Sequence, residues 1–191
     1  MRIGVLAVQG AFIEHEKVLQ RLDVDCFEIR KKADLERHMN GIILPGGEST
    51  VMRKLLNDLG LFDEIKERIL AGLPALGTCA GAILLAEQIE GCNEVCFGTI
   101  PMKIRRNAYG RQLGSFSVEQ DIEGIGIFPM RFIRAPYIVS AKPEVKVLSR
   151  VNDKIVAVEY LNQIALSFHP ELTEDTRLHK FFINKCYRVG K

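Results

Sequence analysis

Short apolar runs alternate with longer stretches of helical periodicity through the first half of the chain. A run that is apolar throughout predicts a strand covered on both faces, and apolar positions three or four residues apart predict a helix. The predicted strands span residues 3–8, 25–29, 41–44 and 74–76, and the predicted helices span 12–22, 49–59, 61–70 and 80–88. This alternation is typical of a mainly parallel sheet with helices on its faces.

The second half of the chain carries short strand patterns that are separated by turn residues. Strands are predicted at residues 115–120, 127–133, 145–149, 155–160 and 163–168, followed by a helix at about 173–187. Asn152-Asp153 and Asn162 are typical of hairpin turns. We therefore expect a three-layer α/β sandwich whose mainly parallel sheet has an antiparallel or mixed extension. No linker or repeat divides the chain, so one domain over residues 1–191 is predicted.

Composition and charge exclude several classes of function. Lys and Arg total 26 against 24 Asp and Glu, so the net charge of +2 lacks the basic excess of nucleic-acid-binding proteins. No segment approaches the ~18 consecutive apolar residues of a membrane span. The chain has five cysteines without the spacing of a disulfide framework, which indicates a reducing compartment. We expect a cytoplasmic protein without nucleic-acid or membrane partners.

Cys79 carries the clearest chemical signal, in the pentapeptide Gly77-Thr78-Cys79-Ala80-Gly81 between a predicted strand and a predicted helix. Glycines on both sides of a nucleophile allow a sharp, strained strand-to-helix turn and a close approach of substrate. The following helix leaves its first N–H groups unpaired, so the amide of Ala80 can donate to an oxyanion. The positive end of that helix favours a thiolate. This segment predicts an enzyme with a cysteine nucleophile.

A cysteine nucleophile needs a base, and His169 is the best candidate among four histidines. His169 ends a predicted strand and begins His169-Pro170-Glu171, where extended backbone would place Glu171 on the same side as the imidazole. The carboxylate would then orient the ring and stabilise its charged form. The other three histidines, interpreted as surface or packing residues, are His15, His38 and His179.

The third element is a second strand-to-helix turn, Pro45-Gly46-Gly47-Glu48-Ser49-Thr50, with paired glycines whose N–H groups can point at an anion or a carbonyl oxygen. An ordinary turn with a capping Glu48 or Ser49 remains an alternative. A phosphate-binding loop is not indicated, because the Lys-Ser/Thr ending of that motif is absent. Cys92 and Cys96 have no second pair or histidine to complete a zinc site, so no metal is expected.

Taken together, these motifs resemble those of the class I, or triad, glutamine amidotransferases, which implies their flavodoxin-like architecture. Further blocks along the chain resemble the family of glutaminase subunits of pyridoxal 5′-phosphate synthase. The blocks that carry this resemblance are 6–10, 45–50, 77–81, Arg106-Asn107-Ala108-Tyr109-Gly110-Arg111-Gln112, Phe132-Ile133-Arg134-Ala135-Pro136 and 168–173. The two arginine-bearing blocks are the most particular to that subunit.

The resemblance implies that Cys79 attacks the side-chain amide of L-glutamine and that His169 and Glu171 complete a triad. It also implies an oxyanion hole from the amides of Gly47 and Ala80. The residues that it assigns to glutamine binding are Gly47, Glu48, Ser49, Arg106, Ile133 and Arg134. Arginine suits the free α-carboxylate of an amino acid, which supports two of these assignments.

By the same resemblance, the ammonia passes to a barrel-shaped, ring-forming synthase subunit that makes pyridoxal 5′-phosphate, and this chain itself needs no cofactor. Because its glycine loop could require partner contacts, we expect weak activity for the chain alone. Two alternatives stay open: another cysteine hydrolase of similar fold, such as a peptidase or γ-glutamyl hydrolase, and a non-catalytic binding subunit.

Overall fold

The computed structural model describes residues 1–94, 96–106 and 114–189. The strands are β1 (Arg2–Leu6), β2 (Asp25–Ile29), β3 (Gly41–Leu44), β4 (Ala75–Thr78), β5 (Ala86–Ile89), β6 (Ile100–Arg105), β7 (Ser115–Ile122), β8 (Gly126–Ile133), β9 (Tyr137–Ala141), β10 (Lys146–Val151), β11 (Lys154–Tyr160) and β12 (Gln163–Leu166). The α-helices are α1 (Phe12–Arg21), α2 (Ser49–Asp58), α3 (Phe62–Leu70), α4 (Ala80–Leu85) and α5 (Arg177–Val189). Short 3₁₀ helices span Lys32–Glu36 and Pro170–Leu172.

The main sheet has ten strands, nine of them in the order β2-β1-β3-β4-β12-β11-β9-β6-β5, with β10 paired to β11. The five strands from β2 to β12 in this order are parallel to one another. Strands β11, β9 and β6 continue the sheet through antiparallel pairs. The predicted parallel sheet with a mixed extension is therefore confirmed.

Two apolar cores cover the faces of the sheet and create the three layers. One face packs against α2, α3 and α4 through side chains such as Met52, Ile65 and Ile83. The other packs against α1, α5 and the β7–β8 hairpin through Leu19, Phe132 and Phe182, among others. The strands between the cores are buried on both sides, which explains their continuous apolar runs.

The prediction for the β7–β8 strands was wrong in one respect, because they form a separate two-stranded sheet rather than an extension of the main one. Alternate residues of β8 point inward, and Phe128, Met130 and Phe132 are buried. The hairpin therefore covers one face of the main sheet with its apolar side, as the helices α1 and α5 do. Its last residues lie near the carboxyl ends of the parallel strands.

The predicted helix at residues 80–88 was too long, since α4 ends at Leu85 and the chain enters β5. No glycine or proline marks this change in the sequence, and pairing with β6 overrides the helical pattern. Strands β5, β6 and β9 were not predicted. The last helix begins at Arg177, four residues later than expected, where the Asp175 carboxylate accepts a 2.9 Å hydrogen bond from the Arg177 N–H.

Candidate active site

Three parallel strands end at the same edge of the sheet, and each leads directly into a predicted site segment. Strand β3 leads into the Gly46–Gly47 turn, β4 into Cys79, and β12 towards His169. The register places Gly77 of β4 opposite Leu44 on one side and Ala165 on the other. The carboxyl edge of a parallel sheet is a common ligand site, and here it gathers residues that lie far apart in sequence.

Cys79 occupies a sharp and strained turn, as predicted. Its backbone angles are φ 49° and ψ −100°, in a region that residues with a Cβ rarely adopt. Its N–H donates a 2.8 Å hydrogen bond to the carbonyl of Leu166, which ties the turn to β12. A Cβ on Gly81 would collide with the carbonyl of Leu44, so only glycine lets α4 approach the sheet this closely. The side chain of Cys79 is thereby fixed at the sheet edge.

His169 is buried beside Cys79 and is anchored from two directions. Its backbone N–H donates to the carbonyl of Arg131 in β8 at 2.8 Å, and its Nδ1 lies 2.6 Å from Oε1 of Glu171. Burial lowers the pKa of His169, but hydrogen bonding to Cys79 and to Glu171 outweighs that effect and raises the pKa to about 10. The imidazole therefore carries a proton at neutral pH.

Glu171 lies where it was predicted, but the backbone reason was wrong. Residues Pro170–Leu172 form a 3₁₀ turn rather than an extended segment, with proline at the start, where its missing N–H costs nothing. The turn brings the carboxylate back over the imidazole. Burial raises the pKa of Glu171, yet His15 and His169 outweigh it and lower the pKa, so the carboxylate is ionised.

His15 and His179 were interpreted as surface or packing residues; the structure excludes the surface position, and the sequence did not predict that they lie beside the triad. Both are completely buried, and His15 Nδ1 lies 3.0 Å from His179 Nε2. On its other side, His15 Nε2 lies 3.4 Å from Oε2 of Glu171 and 3.2 Å from Oγ1 of Thr78. The sequence pattern that indicates burial of His15 is the helical spacing in α1, where His15 precedes buried Val18 and Leu19 by three and four residues.

A cavity of about 350 Å³ opens over the thiol and the imidazole. Its walls include every residue that the sequence assigned to glutamine binding. The predicted residues that line it are Gly47, Glu48, Ser49, Cys79, Arg106, Ile133, Arg134 and His169. Ala80 is buried next to Cys79 at the start of α4. Small-molecule sites are commonly of this size and shape.

The glycine turn is held by the segment that precedes α1. The Ala11 N–H donates to the carbonyl of Gly46 at 2.9 Å, and the Glu48 N–H donates to the side-chain oxygen of Gln9 at 2.8 Å. A Cβ on Gly46 would overlap the imidazole of His169 and lie 3.3 Å from the Cβ of Cys79. The turn is therefore packed directly on the reactive pair.

Arg106 and Arg134 both lie at the mouth of the cavity, but they make different contacts. Arg134 has φ 44°, and its N–H donates to the carbonyl of Gly114 at 2.6 Å. The guanidinium of Arg106 donates to Thr50 Oγ1 at 2.9 Å and lies 3.2 Å from a carboxylate oxygen of Glu94. The rest of the block that begins at Arg106, residues 107–112, lies outside the described residues.

Within residues 1–94, 96–106 and 114–189, no three or more His, Cys, Asp and Glu side chains are grouped in a way that could hold a metal ion. Nor does that part of the chain contain a helix long and apolar enough to cross a membrane.

A three-layer α/β fold with cysteine, histidine and glutamate at the carboxyl edge of its sheet is the architecture of class I glutamine amidotransferases. A crystal structure described as a glutamine amidotransferase aligns with a TM-score of 0.92 and 44% identity, covering 97% of this chain and 98% of that one. The crystal structure of a putative GMP synthase component from Thermoplasma acidophilum shares the fold at a TM-score of 0.74 and 17% identity, over 99% and 95% of the two chains.

The chain belongs to the SNO glutamine amidotransferase family, whose model matches residues 5–188. A relative from Desulfitobacterium hafniense, named pyridoxal 5′-phosphate synthase subunit PdxT, is 55% identical over 96% of this chain and 92% of its own length. A relative of the same name from Carboxydothermus hydrogenoformans is 52% identical over 97% of each chain. This membership does not favour the alternative of a peptidase or γ-glutamyl hydrolase.

Proposed function

We propose that this chain is the glutaminase subunit of pyridoxal 5′-phosphate synthase and hydrolyses L-glutamine to L-glutamate and ammonia. The observation that carries the proposal is the position of Cys79 beside the hydrogen-bonded pair of His169 and Glu171, at the base of a cavity lined by residues suited to an amino acid. Residues 1–191 act as one domain in this role. The names of the relatives support the choice of synthase.

The reaction begins when the imidazole of His169, whose pKa is raised to about 10, takes the proton of the Cys79 thiol. The sulfur of Cys79 attacks the side-chain carbonyl carbon of glutamine and forms a tetrahedral intermediate. As the carbon–nitrogen bond breaks, His169 gives its proton to the departing nitrogen, which leaves as ammonia. The neutral imidazole then takes a proton from water, which attacks the γ-glutamyl thioester, and glutamate departs.

Glu171 keeps the proton of His169 on Nδ1 during these steps, so that Nε2 serves the reacting groups. The developing negative oxygen is bound by the amides of Gly47 and Ala80. Ala80 is the first residue of α4, and its N–H is therefore outside the intrahelical pattern. Donors of this kind contribute roughly 3 kcal/mol each to the transition state.

The mouth of the cavity recognises the free amino-acid end of glutamine. The guanidinium groups of Arg106 and Arg134 bind the α-carboxylate, and the carboxylate of Glu48 suits the α-ammonium group. The backbone at Ile133 and the Gly47–Ser49 segment complete the binding surface. Because Arg106 is also paired with Glu94, binding replaces one carboxylate partner with another.

We further propose that the ammonia is channelled to a barrel-shaped, ring-forming synthase subunit in a cytoplasmic hetero-oligomer, which carries the lyase activity. The glycine turn supports a role for that partner in activation, since Gln9 and Ala11 hold the turn from the start of α1. A partner that docks on α1 would act on the oxyanion donors through these two contacts.

The test is a glutamate-release assay of the chain alone and with the synthase subunit, with Cys79→Ala as the control. We expect low activity alone, a large increase in the complex, and none above background for Cys79→Ala. Absence of glutamate from the wild-type complex would overturn the proposal. Equal rates with and without the synthase subunit would overturn activation by the partner.

A further inference from the structure

The triad carboxylate has a second side that the proposed reaction does not use. Oε1 of Glu171 bonds with His169, but Oε2 is buried and makes no standard hydrogen bond with any other described residue. The nitrogen that faces it is Nε2 of His15, at 3.4 Å. A buried carboxylate oxygen without a donor is costly, so the protonation of this nitrogen matters.

The positions of the protons follow from which atoms can donate. Nε2 of His15 faces Thr78 Oγ1 at 3.2 Å and the Glu171 carboxylate at 3.4 Å; because a carboxylate only accepts hydrogen bonds, a proton on Nε2 suits both neighbours. In a neutral ring Nδ1 then accepts, and its partner at 3.0 Å, Nε2 of His179, donates. This leaves Nδ1 of His179 without a proton, and that atom has no hydrogen-bond partner among the described residues. Without a proton, this nitrogen is not a donor and needs no acceptor in its buried position.

The opposite arrangement leaves two groups worse placed. If Nδ1 of His15 donated to His179, the Thr78 hydroxyl could donate to Nε2 of His15, but Oε2 of Glu171 would face a lone pair instead of a donor. Nδ1 of His179 would in turn become a buried donor without an acceptor among the described residues. The arrangement with the proton on Nε2 of His15 is therefore favoured, because it strands no buried donor at His179 and turns an N–H towards Thr78 and the triad carboxylate.

Burial keeps both rings neutral. Burial lowers the pKa of His15 more than the nearby Glu171 raises it, with smaller effects from His169 and Glu14. For His179, burial, His15 and Arg21 all act in the same direction and hold the pKa well below its usual value. Each ring thus carries one proton at neutral pH, as the arrangement requires.

We propose that His15 is a positioning residue of the glutaminase reaction: oriented by His179, it donates from Nε2 to Oε2 of Glu171 and so holds the carboxylate against His169. The inference rests on the proposed function, since it assigns support to the triad. His15 touches neither glutamine nor sulfur, and Glu171 is the triad group that it contacts.

The test compares His15→Gln with His15→Asn in the complex with the synthase subunit. The glutamine side chain can place an amide N–H near the position of Nε2, whereas asparagine is one carbon shorter and cannot reach Oε2. We expect His15→Asn to lower kcat for glutamate release about tenfold, with KM unchanged, and His15→Gln to recover most of the loss. His38→Gln, at an exposed histidine, is the matched control.

A double-mutant cycle shows whether the effect passes through Glu171. In the Glu171→Gln background we expect His15→Asn to cause no further loss, because the carboxylate it supports is gone. An equal fold-loss in both backgrounds would overturn the proposal, as would equal rates for His15→Asn and the wild type. If neither His15 variant folds, His179→Gln and His179→Asn give the same comparison one ring further away, with retention by glutamine and loss by asparagine expected.

The possible outcomes distinguish failure of this inference from failure of the proposed function on which it rests. A wild-type complex without Cys79-dependent glutamate release contradicts the proposed function. An active wild type together with a fully active His15→Asn variant contradicts only the role of His15.

Discussion

The base and the mouth of the cavity are built in different ways. At the base, the exposed fractions of Cys79, His169 and Glu171 are 7%, 6% and 5%, and each is fixed by the ends of central parallel strands. At the mouth, Ile133 is 40% exposed, and Glu48 and Arg134 are exposed as well. These mouth residues come from the hairpin end and from turns rather than from the sheet itself.

This difference separates chemistry from recognition. The base is rigid because strained backbone and buried hydrogen bonds hold each of its side chains in a single position. In the proposed binding mode, charged side chains at the mouth exchange partners, and Arg106 leaves Glu94 for the α-carboxylate of glutamine. Changes at the base should therefore act on kcat, whereas changes at the mouth should act on KM.

The largest effect expected of a conservative change is that of Glu171→Gln. The amide keeps the shape but loses the charge that stabilises the imidazolium, so kcat should fall on the order of 10³-fold. Glu174→Gln is the matched control, since Glu174 is three residues away and exposed. Steady-state glutamate release by the complex measures both variants. A loss below tenfold would show that Glu171 is not part of the reactive group.

The same variant should change the pH dependence. In the wild type the raised pKa of His169 keeps the imidazolium up to a pH of about 10, so kcat/KM should fall only as the pH approaches that value. Without the carboxylate the pKa of His169 falls, and the alkaline limb should move to lower pH. An unchanged alkaline limb would contradict the assigned cause of the shift.

The next largest effect is that of Gly46→Ala, which tests how tightly the turn packs on the base. The added Cβ overlaps the imidazole of His169, so the reactive pair must shift and kcat should fall about 10²-fold. Gly114→Ala is the control, because a Cβ there meets no atom of the described residues within 4 Å. Thermal unfolding of both variants would separate lost activity from lost structure, and full activity of Gly46→Ala would contradict this packing.

At the mouth, Arg134→Ala should raise KM for glutamine about tenfold through loss of a charge-assisted hydrogen bond, with kcat nearly unchanged. Arg131→Ala removes an exposed arginine from the same hairpin without touching the cavity and is the control. A loss in kcat with an unchanged KM would place Arg134 with the base rather than the mouth.

The smallest effect is that of Glu94→Gln, which removes the competing partner of Arg106. Because ion pairs in contact with solvent are weak and this one is only partly buried, KM should fall only about two- to fivefold. Glu87→Gln, which breaks the ion pair with Lys142, is the control. A raised KM would show that Glu94 positions Arg106 instead of competing for it.

The sequence could predict the features that are set by local patterns, and not those that are set by tertiary contacts. The parallel strands and the turn at Cys79 were predictable because buried strands and flanking glycines leave local patterns. Strands β5, β6 and β9 were not, since their pairing is set by tertiary contacts that override local preference. The predicted glutamine-binding residues line one cavity with Cys79, although they come from segments far apart in the sequence.

The buried histidines mark the limit of sequence reasoning at the site. His15 lies between Glu14 and Glu16, so composition indicates a surface, and only its helical spacing to Val18 points inward. Its contact with Glu171 joins residues from α1 and the 3₁₀ turn after β12. No local pattern encodes such a contact, because it depends on how the two segments pack.

Detection of the γ-glutamyl thioester tests the proposed reaction most directly. The complex is mixed with glutamine, quenched in acid, and the peptide that contains Cys79 is examined by mass spectrometry. We predict a γ-glutamyl adduct on Cys79 in the wild type, and no adduct and no glutamate release with Cys79→Ala. Glutamate release by Cys79→Ala, or an adduct on one of the other four cysteines instead, would contradict the proposed reaction.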